Sequence, residues 1–160
     1  MMDEATIRLA LRVTARTSFA FFLSAFAGAA LAARWPGRFT EWLTLQRRTL
    51  LVALAVSHTV HLAAIGALGA VTNGKAWKDA GLSSALGGGA AYLLIYAMAL
   101  WPSRQQLNSI GMYWVWAIFF VTYAPRVVLE SLYYLPFAIL LVAALALRVL
   151  APHRRGTSLC

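Results

Sequence analysis

His58 and His61 are two of the three histidines in this sequence, and they are the residues best suited to do chemistry in it. They lie three positions apart in an apolar block. On a helix, positions i and i+3 are about 60° apart, so both imidazoles fall on roughly one face, with Ser57 beside them. Polar groups at membrane depth are costly and are functional by default. Three roles suit the pair: axial ligation of a b-type haem, whose usual ligand is imidazole; a proton relay; or hydrogen bonding to a neighbouring helix. Zinc is disfavoured, because a tetrahedral ion takes three or four ligands and no other His, Cys or carboxylate lies at similar depth. His153, after Pro152, is expected to face water. No Gly-rich phosphate loop, nucleophile elbow or paired carboxylate occurs. Glu130, four residues after Arg126, reads as an interfacial ion pair rather than a general base.

The elements that hold these residues follow from composition. The chain has 160 residues, of which 61% are hydrophobic and 12% charged, and a mean hydropathy of +0.70. Ordinary soluble domains carry about a quarter charged residues. The apolar excess falls in blocks of about twenty, enough to cross a bilayer core. What remains is too short to bury a second, water-soluble core, which excludes a nucleotide- or flavin-binding domain here. One cysteine, Cys160, excludes a disulfide scaffold. The net charge of +9 does not point to nucleic acid, because the arginines form short clusters between apolar blocks rather than one basic face. The expected fold is all-α, a single integral membrane helical bundle of about five transmembrane helices in contact with the lipid bilayer, spanning residues 17–33, 49–71, 82–101, 107–125 and 132–151.

Arg34-Trp35-Pro36-Gly37-Arg38, Asn73-Gly74-Lys75, Pro102 and Pro152 mark block ends. The first block is short, follows Arg8, Arg12 and Arg16, and ends in Ala30-Leu31-Ala32, which has the form of a signal-peptidase site. A retained helix is the expectation, with residues 5–16 as an interfacial amphipathic turn or two; cleavage leaves four spans. Ser158-Leu159-Cys160 is not a prenylation box. Gly87-Gly88-Gly89 suits close helix packing better than room for a flat cofactor. Lysine and arginine counts on alternate sides give eight (Arg34, Arg38, Arg47, Arg48, Arg104, Arg148, Arg154, Arg155) against six (Arg8, Arg12, Arg16, Lys75, Lys78, Arg126). That margin places the N-terminus outside and the C-terminus in the cytoplasm.

Arg47-Arg48-Thr49-Leu50, followed by His61-Leu62, resembles the ferric-reductase-like transmembrane domain family, and within it the haem-b membrane subunit of a bacterial methionine sulfoxide reductase system. Gln105-Gln106-Leu107-Asn108, then Tyr113 and Trp114, is similar to the segment opening a later helix of that family. The resemblance covers about residues 14–150 and corresponds to the family's second to sixth helices. It implies an inner-membrane electron-transfer subunit of an oxidoreductase, with haem b held by His61 or His58 and electrons from quinol or a partner flavoprotein. The family clamps haem between histidines on two helices. Here Asn108 stands in one such place, Val121 in another, and Leu51 replaces a glycine.

At about 1.5 Å per residue, His61 lies roughly 18 Å in from Thr49 and His58 roughly 14 Å. Counted from Leu107, those depths fall at Phe119 and Trp116, neither of them an iron ligand. Met112, at roughly 8 Å, is too shallow, and Tyr123 is deeper, where a phenolate would ligate ferric iron. A five-coordinate haem in a cavity bounded by the second, third and fourth spans is what remains. Arg47, Arg48 and Arg104 would then meet its propionates or an acidic partner, although anchoring on the cytoplasmic side explains each of them more simply. The alternative is a haem-free structural or partner-binding subunit, in which Ser57, Thr59, Thr122 or Tyr123 bond the histidines. A transporter or proton path lacks a buried carboxylate or lysine.

Overall fold

The computed structural model describes residues 3–151, with the side chains of Asp79, Ala80, Ser83 and Ser84 excepted. Pro152, His153, Arg154, Arg155 and Cys160 lie outside the described residues. Six helices form in chain order: α1 (Glu4–Arg34), α2 (Arg38–Leu45), α3 (Arg47–Val71), α4 (Lys75–Leu100), α5 (Gln105–Leu129) and α6 (Leu135–Leu150). A 3-10 turn at Leu132–Tyr134 leads into α6. No strand occurs among the described residues. Four segments are long and apolar enough to cross a membrane: α1, α3, α5, and Leu132–Leu150, which is that turn with α6. The apolar part of α4 is the shorter stretch Ala85–Leu100. The fold is an all-α membrane bundle.

Two elements differ from the sequence expectation. Residues 5–16 are no separate interfacial turn; they are the first half of α1, which runs unbroken for 31 residues. Its start is set by Asp3, whose Oδ1 accepts the Thr6 N–H at 3.0 Å, and by Glu4, which pairs with Arg8 at 2.7 Å. At about 1.5 Å per residue, a helix of that length reaches beyond a roughly 30 Å hydrocarbon core. The second difference is α2, a short helix hidden between two apolar blocks. It buries Leu43 against α1 and turns Phe39, Trp42 and Leu45 outward, the pattern of a helix lying in the membrane interface. Its closeness to α1 depends on Gly28, where an added Cβ would lie 3.2 Å from the Leu43 Cβ.

The expected third span gains a preamble. α4 starts at Lys75, after a turn in which Asn73 (φ 48°) and Gly74 (φ 79°) are left-handed. It breaks at Gly81, whose φ of 74° and ψ of 161° belong to a region open essentially to glycine alone.

Each crossing helix packs on its neighbour in the chain, and α6 closes back onto α1. With α2 set aside, five helices make the ring, and α1 runs parallel to α6. The centre is filled. Phe19, Phe22 and Phe26, at helical spacing on α1, are all buried with Leu51, Leu54, Ile95, Met98 and Leu141. Phe22 stacks on Phe119 at 5.2 Å, Phe19 meets Phe119 edge-on at 5.6 Å, and Tyr123 stacks on Phe137 at 4.9 Å.

Among the described residues the helix directions sort the lysines and arginines by end, six at each. Arg16 lies over the Tyr133 ring at 5.1 Å and Arg126 over Tyr134 at 5.6 Å, which joins the start of α1 to the α5–α6 turn. Of the three successive glycines, only Gly87 faces another helix, with an added Cβ 3.2 Å from Ile118. Gly88 and Gly89 have nothing within 4 Å.

Gly28→Leu is expected to lift α2 from α1 at a cost of about 1–3 kcal/mol, as overpacking does; a shift in tryptophan emission from Trp42 and a lowered midpoint of detergent unfolding measure it. The hydrogen bonds from Thr6 hold the Asp3 carboxyl below its ordinary range. A depressed carboxyl stabilises above its unfolded value and loses that contribution as pH falls through the folded one. The protection of the Thr6 amide, measured relative to its intrinsic exchange rate, should therefore be lost only below the ordinary carboxylate range, and Asp3→Asn should abolish that dependence.

Candidate functional site

The middle of α3 carries four polar side chains close together, and helix geometry sends them to different neighbours. Ser57 Oγ lies 2.8 Å from Ser18 Oγ on α1. Thr59 Oγ1 lies 2.9 Å from the Tyr96 hydroxyl on α4. His61 Nδ1 lies 2.8 Å from Thr14 Oγ1 on α1. Thr14 Oγ1 also lies 2.8 Å from the Ala10 carbonyl of its own helix, so its one proton goes either to that carbonyl, with His61 protonated on Nδ1, or to His61 Nδ1, with His61 protonated on Nε2. Thr59 Oγ1 likewise lies 2.9 Å from the Ala55 carbonyl as well as near Tyr96.

His58 is different. Its ring lies 6.1 Å from that of His61, but it turns toward α4 and α5, edge-on to Tyr92 at 5.0 Å and to Phe119 at 6.1 Å. Its Nδ1 is buried without a hydrogen-bond partner among the described residues, as is the Tyr92 hydroxyl. The two histidines therefore share a neighbourhood and differ in what they do there. His61 joins α3 to α1, whereas His58 fills space against aromatic rings.

The partners expected for the histidines lie elsewhere. Ser57 and Thr59 are bonded across to Ser18 and Tyr96, Thr122 donates to the Ile118 carbonyl at 2.7 Å, and Tyr123 is buried among Phe19, Phe119 and Phe137. Thr14 is the functional neighbour that sequence reasoning misses. The signal for it is a matched spacing, Thr14 and Ser18 four apart on one helix and Ser57 and His61 four apart on the other. Depth arithmetic errs by a turn, because Phe119 meets His58 where the count sets it against His61. Asn108, in the place of a family histidine, is buried at the opposite end of the bundle, where its Nδ2 donates to the carbonyls of Pro102 at 2.8 Å and Arg104 at 2.9 Å. Val121 faces outward and Met112 is buried in the core.

His58 has no room for a haem as packed. Phe119 and Tyr92 occupy the space against His58, and none of the described cavities is lined by either histidine. Among the described residues, no group of three or more His, Cys, Asp or Glu gathers in one place. Glu130 and Arg126 form an exposed ion pair at 3.4 Å, which matches its sequence reading and adds little stability.

The other end of the bundle holds arginines in a more structured setting. Arg148 donates to the Phe26 carbonyl at 3.0 Å, and its guanidinium lies 4.5 Å from the centre of the Phe26 ring and 5.1 Å from that of Tyr113. Arg47 is half-buried, whereas Arg48 and Arg104 are exposed. Arg47 and Arg148 together line a groove of about 800 Å³.

Interhelical hydrogen bonds in membranes average about 0.6 kcal/mol and reach about 1.7. A double-mutant cycle of Thr14→Val with His61→Leu, read by reversible unfolding in mixed detergent, should give a coupling in that range. The same cycle with His58→Leu should give none. His58→Leu alone should be neutral or stabilising, because it removes a buried unpaired nitrogen.

No family model, curated protein or solved structure matches the chain.

Proposed function

We propose that this chain is a haem-free membrane subunit with the design of a ferric-reductase-like transmembrane domain, a bundle that supports or binds a partner within the bilayer. The observation that carries this reading is the use made of α3. Ser57, Thr59 and His61 each form an interhelical hydrogen bond, to Ser18, Tyr96 and Thr14, and the remaining face of His58 is closed by Tyr92 and Phe119. These are the roles such residues have in a packed bundle without a prosthetic group. Electron transfer through haem b, fed by quinol or a flavoprotein, rests on the family resemblance and on the position of His61. With His58 as the ligand it requires Phe119 and Tyr92 to leave their places.

Absorption spectra of detergent-purified protein, oxidised and dithionite-reduced, from cells given haem precursor decide between these readings. The expected result is a protein-only spectrum, unchanged after haem reconstitution. A Soret band of near-stoichiometric intensity that disappears in His61→Ala would overturn the haem-free reading and identify the ligand.

The same proposal sets the chain in a bacterial inner membrane with its C-terminus in the cytoplasm, supported by the eight-to-six count of lysine and arginine in the sequence, whose margin is Arg154 and Arg155. Cys160 is the single cysteine, so a membrane-impermeant maleimide should label spheroplasts only after permeabilisation. Labelling of intact spheroplasts would reverse the orientation.

A further inference from the structure

The groove at the α2 end has a lining of two kinds. One wall is a stripe on α1 made of Ala25, Ala29, Ala32 and Ala33, at spacings that place them along one helix face. Methyl-sized side chains on that face leave the volume of about 800 Å³ open between α2 and α6. The other part of the lining is Arg47 and Arg148.

Among the described residues, neither arginine has a carboxylate partner. The ion pairs there are Arg8–Glu4 and Arg126–Glu130, both at the opposite end. Glu41 also lines the groove and pairs with neither arginine. Arg148 is held by the Phe26 carbonyl and by stacking on Phe26, so its remaining N–H groups are fixed in place before any ligand arrives. The same two arginines line an adjoining cavity of about 390 Å³ with Asn108, whose Oδ1 is buried and unpaired.

The depth of the groove narrows the class of anion. α2 turns Phe39 and Trp42 outward, which sets this end at the headgroup level, where aromatic rings settle. The arginine pair therefore stands where phosphates lie, and the alanine stripe leads from it along α1 toward the hydrocarbon. We propose that the groove binds one anionic phospholipid, with its phosphate between Arg47 and Arg148 and an acyl chain along the alanine stripe. Basic pockets between membrane helices hold acidic headgroups by this combination of charge and cavity. A zwitterionic lipid would bring a further cation against two uncompensated ones. The site is separate from the histidines and does not depend on how they are read.

Native mass spectrometry of the detergent-purified protein, given equal amounts of phosphatidylglycerol and phosphatidylcholine, tests the assignment. The expected result is a preference of about tenfold or more for phosphatidylglycerol, a difference on the scale of one strong charged contact. Arg47→Gln should remove that preference, and so should Ala29→Phe, which fills the groove and leaves both charges intact. Arg126→Gln, at the far end, should not change it. Arg148→Gln should act like Arg47→Gln; if it fails to fold through loss of the Phe26 contact, the other two variants still carry the test. Equal retention of both lipids overturns the proposal, as does a preference that survives Arg47→Gln. A preference intact in Ala29→Phe, or abolished by millimolar inorganic phosphate, identifies a free-anion or acidic-partner site and overturns the lipid assignment.

Discussion

Two hydrogen bonds between α1 and α3, Thr14 with His61 and Ser18 with Ser57, fix how the two helices lie against each other, and the remaining packing follows. In hydrocarbon nothing else competes for these groups, so a pairing lost by sliding or rotation is not replaced by solvent. A shift of one residue turns a helix by about 100° and would part both bonds together. With the pairing set, Phe19, Phe22 and Phe26 face the centre of the ring, where Phe119 and Tyr123 from α5 receive Phe19 and Phe22. The polar seam is thus the reference against which the aromatic core is aligned.

The threonines in this region share a manner of bonding. Thr14 and Thr59 each reach a carbonyl of their own helix as well as a side chain on the neighbouring helix. One hydroxyl thus serves both its own backbone and the seam. His58, one turn before His61, has no such neighbour and is kept in place by rings.

Long apolar blocks make much of the fold legible. α3, α5 and α6 are recognisable from hydrophobic runs bounded by Pro, Gly and Asn, because crossing a bilayer demands length and apolarity that few other structures need. α2 is not legible, because eight residues with a single buried side chain carry too weak a period to be seen between two spans. The first half of α1 reads as an interfacial turn because arginine recurs every fourth residue there, although Asp3 and Glu4 carry the signs of a helix start. The break at Gly81 lies in sequence that reads as polar lead-in. The site itself is half legible. Spacing singles out His58 and His61, but their different neighbours depend on how far α1 and α5 slide past α3. Sequence periodicity reports faces and does not report that slide.

Because the ring has five members, it closes between helices that travel the same way and sit far apart in the chain. Arg148 and Phe26, which meet at that closure, are 122 residues apart. During synthesis, α1 through α5 are made with one side of the arc unfilled, and the places on Phe19 and Phe26 that Phe137 and Arg148 take stay open until α6 arrives. Assembly thus has a direction imposed by the order of translation: the seam between α1 and α3 forms early from neighbours, and the joint with α6 forms last.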